Sequence, residues 1–174
     1  MKLWKIFRYE FAYLAGRTST QLYFIVLFLF TLIMNGLTTP GDGVYANNTF
    51  HITATVVIGA LLWLVMGATI AGEAAARDVQ VRMHHLTYTT PVTKLHYLAG
   101  RFLAAFAVNA LLVLSLPVGV FLSFHLFGMD EGGLLPFRPS AYFNVYFLLA
   151  LPTVFISTAL QFTFAALSRQ VMTG

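Results

Sequence analysis

Cysteine is absent from this chain, which excludes disulfide staples and thiolate metal sites. Charge is scarce: 9% of the 174 residues are Asp, Glu, Lys or Arg, where a soluble domain carries about 25%. No Gly-x-x-x-x-Gly-Lys-Ser/Thr loop occurs, so the chain has no ordinary cradle for ATP phosphates. No His-Glu-x-x-His motif occurs either, which removes the commonest helical zinc site. The first apolar run lacks an A-x-A exit, so it is expected to stay as a span rather than be cut as a signal peptide.

The few charges that remain are clustered. They fall almost entirely within residues 2–17 and 73–101, and four stretches lack them: 18–41, 43–72, 102–129 and 139–168. A soluble fold needs charge spread along its surface. Each stretch exceeds the ~20 residues that carry a helix across ~30 Å of hydrocarbon. The reading is all-α: a polytopic membrane helix bundle with four transmembrane helices near 20–37, 52–72, 98–125 and 141–167. An amphipathic interfacial helix (1–17) precedes them, and a cytoplasmic loop (73–97) divides them. Residues 1–174 form one transmembrane domain, expected to continue past its C-terminus.

Topology follows from Lys and Arg. Nine of the ten basic residues fall in the N-terminal segment, the central loop or the tail; only Arg138 falls on the other side. The N-terminus is expected in the cytoplasm, and the membrane is expected to be a bacterial cytoplasmic (inner) membrane. The net charge of +4 is explained by this bias, so nucleic acid is not a partner. The lipid bilayer is.

Within residues 2–16, Leu3, Trp4, Phe7, Phe11, Leu14 and Ala15 share a helix face. Lys2, Lys5, Arg8, Tyr9 and Tyr13 share the other, with Ile6 the exception. This is the pattern of a helix lying in the interface. Thr18 or Ser19 is placed to cap the first span. Asn47-Asn48-Thr49 matches a glycosylation sequon, a short pattern that arises often by chance. The second span carries Gly67-x-x-x-Ala71 and Ala68-x-x-x-Gly72, which permit close helix approach. Pro117 and Pro152 are expected to kink the third and fourth spans. Asn109, Asn144 and Gln161 lie within the spans. Each can serve an interhelical hydrogen bond or line a substrate path.

The central loop holds the most specific signal. Residues 73–85 favour helix, with Glu73–Arg77 and Asp78–Arg82 both spaced i,i+4, acid first. Thr87 to Thr90 breaks that pattern, and Thr90-Pro91 reads as an N-cap followed by Pro at the first helical position. His84, His85 and His96 lack carboxylate or Cys partners at ligand spacing, which favours a surface role over a metal site.

Glu73, Arg77-Asp78, Leu86, Thr90-Pro91-Val92-Thr93-Lys94 and Gly100-Arg101 together resemble the intracellular loop of type 2 (exporter) ABC transporter permeases. The N-terminal helix resembles that family's elbow helix. The resemblance implies a permease driven by a separate ATPase subunit. That subunit would bind ATP-Mg, would dock on the loop as on a coupling helix, and would act on a homodimer or on two permease halves. It implies that Glu73, Arg77, Asp78, Arg82, His84 and His85 face the ATPase, with Pro91 and Lys94 fixing the elbow. The chain would have no cofactor and no enzymatic activity of its own. Two departures stand out: family permeases usually have six spans, and the family's central Leu-Leu is His85-Leu86 here. The alternative is a membrane anchor or sensor for an attached soluble enzyme such as a zinc peptidase domain.

Overall fold

The computed structural model describes residues 2–37, 45, 47–80, 93–127 and 134–168. All regular elements among them are helical. In chain order they are α1 (Lys2–Ala15), α2 (Thr18–Leu37), α3 (Thr49–Gln80), α4 (Lys94–Leu126), α5 (Pro139–Asn144), a π-helical segment (Val145–Ala150) and α6 (Leu151–Ser168). Four helical stretches are long and apolar enough to cross a membrane: Thr18–Leu37, Thr49–Asp78, Lys94–Leu126 and Pro139–Ser168. The chain is an integral membrane protein built as a polytopic helix bundle.

Local chemistry sets the helix ends. Gly16 donates its N–H to the Ala12 carbonyl and closes α1. Thr18 already lies within α2, whose first bond runs from Gln21 N–H to the Arg17 carbonyl. The cap position therefore falls on Arg17 rather than on Thr18 or Ser19. Asn48 caps α3 by accepting the His51 N–H at 2.7 Å. At α4 the Tyr97 N–H bonds to the Thr93 carbonyl at 3.1 Å, and the Thr93 hydroxyl accepts the His96 N–H at 3.4 Å. Thr93 is thus the α4 cap, and the α4 helix starts at Lys94; the expected Thr90-Pro91 start lies outside the described residues.

The helices that hold the second and third spans run past the expected span bounds of 52–72 and 98–125, α3 into the segment 73–85 expected to be helical. α3 continues through Gly72 to Gln80 without a break, and α4 begins four residues early. In the α3 extension Glu73, Arg77 and Asp78 are paired with Arg17, Glu10 and Arg101, so charge gives that helix no cause to stop there. Near the fourth span's start, Pro139 sits at the first turn of α5. Pro152 has no N–H to donate to the Leu148 carbonyl, and its ring crowds that carbonyl. The preceding turn widens in response: the Leu151 N–H reaches back five residues to the Tyr146 carbonyl. The distortion expected from Pro152 is this π segment.

The chain divides into two compact units. The first comprises Met1–Gln21, Leu64–Ala110 and Val154–Gly174. Its buried side chains are mostly small, with Ala71, Ala74, Ala104 and Ala105 fully or almost fully enclosed. Small residues let helices approach closely in lipid. Phe102 and Phe106 of α4 meet Phe155 edge-on at 5.6 and 5.4 Å, and Phe102 meets Phe162 at 5.7 Å. The Asn109 amide donates to Thr158 Oγ1 at 3.1 Å and to the Gly67 carbonyl at 3.4 Å. Gln161 donates to the Leu64 carbonyl at 3.0 Å. These bonds tie α3, α4 and α6 together.

The second unit comprises Leu22–Trp63 and Leu111–Thr153. Leu27, Ile52, Val56, Trp63, Leu112, Leu116 and Val120 form its core. Gly119 permits α2 and α4 to touch, since a Cβ there would lie 3.0 Å from the Phe28 carbonyl oxygen. Asn35 donates to the Thr31 carbonyl at 2.7 Å, and its Oδ1 meets His51 Nε2 at 2.9 Å and the Thr55 hydroxyl at 3.4 Å. The Asn47 side chain holds the Leu135 backbone by two bonds: it donates to the carbonyl at 2.6 Å and accepts the N–H at 2.7 Å. The sequon asparagine is thus a fastener, and its neighbour Asn48 is a helix cap.

Candidate functional site

The first unit concentrates its charge in one cluster. α1 supplies Glu10 and Tyr13, the α1–α2 turn supplies Arg17, α3 supplies Glu73, Arg77 and Asp78, and α4 supplies Tyr97 and Arg101. Three carboxylates meet three guanidinium groups, so the cluster is neutral overall.

Periodicity explains why these residues converge. Glu73 and Arg77 are one turn apart on α3, and Tyr97 and Arg101 are one turn apart on α4. On α1, Leu3, Ile6, Phe7, Glu10 and Leu14 fall on one stripe, and Glu10 and Leu14 are its buried members. α1 reaches α4 closely because residue 100 is glycine. A Cβ there would sit 2.8 Å from Ile6 Cγ2 and 3.3 Å from the Leu3 carbonyl oxygen. Ile6, the exception on the sequence wheel, is therefore the α1 contact to α4.

At the centre, Glu10 Oε1 is shared. It lies 2.7 Å from Arg77 Nη2 and 3.4 Å from Arg101 Nε. Arg101 Nη1 lies 3.1 Å from Asp78 Oδ2. The Tyr97 hydroxyl donates to Asp78 and accepts from Arg101. Arg77 also reaches Asp78 Oδ1 at 3.7 Å, and its guanidinium lies over the Tyr13 ring, 4.1 Å from the ring centre. At the edge, Glu73 pairs with Arg17 and accepts the Tyr13 hydroxyl at 3.1 Å.

Burial grades across the cluster and decides which pairs matter. The Arg101 side chain is 1% exposed and Glu10 is 6%, while Arg17 is 41%. A pair exposed like Arg17–Glu73 contributes about 0–1 kcal/mol. Removing one partner of a buried pair instead costs about 3–5 kcal/mol, because it strands the other charge away from water. The Glu10–Arg101–Asp78 centre therefore carries the energetics.

Of the residues singled out in the sequence, Glu73, Arg77 and Asp78 are brought together here. Their observed partners are on other helices: Glu73 binds Arg17 rather than forming the expected i,i+4 pair with Arg77, and Arg77 turns to Glu10. Lys94 stands apart and exposed at the start of α4. Arg82, His84, His85 and Pro91 lie outside the described residues, as does the Asp78–Arg82 pair. Asn109 and Gln161 make the interhelical bonds already described, whereas Asn144 is exposed on α5. Sequence reasoning missed Glu10, Tyr97 and the depth of Arg101. A signal existed for the first: Glu10 is a lone acid in register with Ile6 and Leu14, and a carboxylate on an apolar stripe needs a partner.

Compared with protein-family models, with characterised proteins and with solved structures, the chain matches none.

Proposed function

We propose that this chain is the membrane-spanning permease part of an ATP-driven exporter, with its N-terminus and segment 73–97 in the cytoplasm of a bacterial cell. One observation carries the reading. The α3 and α4 ends that flank segment 81–92 are joined through Asp78, Tyr97 and Arg101, and both are joined to α1 through Glu10. A force applied to that segment would reach two spans and the interfacial helix together. That is the mechanical property a coupling loop needs.

In this reading a separate ATPase subunit binds ATP-Mg and docks on Arg82, His84, His85 and Lys94, with Pro91 fixing the elbow. Glu73, Arg77 and Asp78 act one layer further in, transmitting the movement. Closure of two ATPases then drives two permease halves, or a homodimer, between inward- and outward-facing states. No catalytic group is assigned to this chain.

The test is co-purification of an ATPase subunit with the full-length protein from its native membrane in mild detergent. Arg82→Glu combined with Lys94→Glu should abolish co-purification and leave the unfolding temperature unchanged. Arg77 is a poor choice for this test, because its loss strands Glu10 and disturbs the fold. Retention of the ATPase by the Arg82/Lys94 variant removes the coupling assignment. Recovery of an attached peptidase or other enzyme with no ATPase replaces the permease reading with that of a membrane anchor.

A further inference from the structure

α1 divides into three strips, and two of them are unexplained by the bundle. The strip of Leu3, Ile6, Glu10 and Leu14 faces the rest of the first unit. Beside it runs a ladder of stacked rings: Trp4 to Phe7 at 5.1 Å and Phe7 to Phe11 at 5.8 Å. Trp4 is 62% exposed. The third strip carries Lys5, Arg8 and Tyr9, all exposed. Arg8 follows Trp4 around the helix by about 40°, at ~100° per residue.

Charge accounting sets Lys5 and Arg8 apart. Glu10, Glu73 and Asp78 are the acidic residues among the described part of the chain, and all three are held by Arg17, Arg77 and Arg101. No described carboxylate is left for Lys5 or Arg8, and neither makes an ion pair among the described residues. Two exposed cations therefore border an aromatic strip, exposed at Trp4 and half-buried at Phe7 and Phe11, on a helix of a membrane protein. Aromatic rings settle at the boundary between acyl chains and headgroups. Cations beside them meet the phosphates at that same depth.

We propose that α1 is a binding surface for anionic phospholipid, with Lys5 and Arg8 holding headgroup phosphates while Trp4, Phe7 and Phe11 enter the acyl boundary. The occupant is the lipid leaflet on which α1 lies. Complementarity of charge selects it: a zwitterionic headgroup offers little net attraction to two unpaired cations, and an anionic headgroup offers one opposite charge per lipid. This surface is independent of any ATPase docking.

Trp4 reports on it directly. Trp63 is the one other tryptophan, so a Trp63→Phe background isolates the Trp4 signal. The full chain is placed in nanodiscs in which either phosphatidylglycerol or phosphatidylcholine is brominated, at equal mole fraction. Brominated phosphatidylglycerol should quench Trp4 several-fold more effectively at low salt. The preference should fall as salt rises and vanish in Lys5→Gln/Arg8→Gln, while Lys5→Arg/Arg8→Lys keeps it. Equal quenching by the two lipids overturns the proposal, as does a preference that survives the neutral variant. Relief of quenching by inorganic phosphate beyond that of chloride at matched ionic strength would assign the surface to free phosphate and also overturn it. If Trp63→Phe does not fold, native mass spectrometry of the unaltered chain decides instead: preferential retention of phosphatidylglycerol, lost in the Lys5/Arg8 variant, supports the proposal, and equal retention refutes it.

Discussion

In the first unit, α3 and α4 meet through Asp78 and Arg101, with Glu10 of α1 bridging to both Arg77 and Arg101. In the second, α2 and α3 meet through an amide, an imidazole and a hydroxyl, those of Asn35, His51 and Thr55. Arg138 is the one Asp, Glu, Lys or Arg among the described residues of that second unit. The two fasteners fail differently. A neutral donor or acceptor that loses its partner in a membrane protein often finds another, so such bonds average ~0.6 kcal/mol. A buried charge that loses its partner has no comparable substitute. The first unit is therefore built to hold one arrangement of three helices or to lose it abruptly. The second is stitched by small, separable contributions, including the Asn47–Leu135 pair of bonds.

Four substitutions rank this difference. Arg101→Leu should be the most damaging, costing about 3–5 kcal/mol by stranding Glu10 and Asp78, read as a large fall in unfolding temperature in detergent. Gly100→Val should cost about 1–3 kcal/mol through its clash with Ile6 and the Leu3 carbonyl. Proteolytic release of α1 in that variant would show that the close approach is what holds the helix. Asn35→Ala should cost roughly 0.6–1.7 kcal/mol, and a loss as large as that of Arg101→Leu would erase the contrast between the units. Arg17→Ala should cost about 1 kcal/mol or less, and the loss should shrink in high salt. The Arg101 penalty should persist in that salt, since Arg101 and Glu10 are almost fully enclosed.

Much of this architecture is legible in the sequence. Four charge-free runs yield four spans, and the positions of Pro139, Pro152 and Asn48 account for a helix start, a π segment and a cap. α3 runs on past the expected span end at residue 72, in keeping with the helical reading of residues 73–85. Glu73, Arg77 and Asp78 carry on the α3 helix because Arg17, Glu10 and Arg101 neutralise them, and those partners are 23 to 67 residues away along the chain. That long-range pairing is invisible to i,i+4 reasoning, which assigned Glu73 to Arg77. Asn109 and Gln161 read in the sequence as groups serving an interhelical bond or lining a substrate path; which acceptors they reach, Thr158, Gly67 and Leu64, is visible only in the fold. Arg101 looked like the mouth of a span; Gly100 and Tyr97 beside it turn that position into the inner end of the cluster.

The central claim is that the ion cluster makes α1, α3 and α4 move as one body at these ends. The chain has no cysteine, so paired labels can be introduced without background. Spin labels on Tyr9→Cys of α1 and Leu95→Cys of α4, both at exposed sites, report the spacing of the two helices by pulsed dipolar spectroscopy. The account predicts one narrow distance distribution, broadened or split by Arg101→Gln. Distributions equally narrow with and without Arg101 would contradict it.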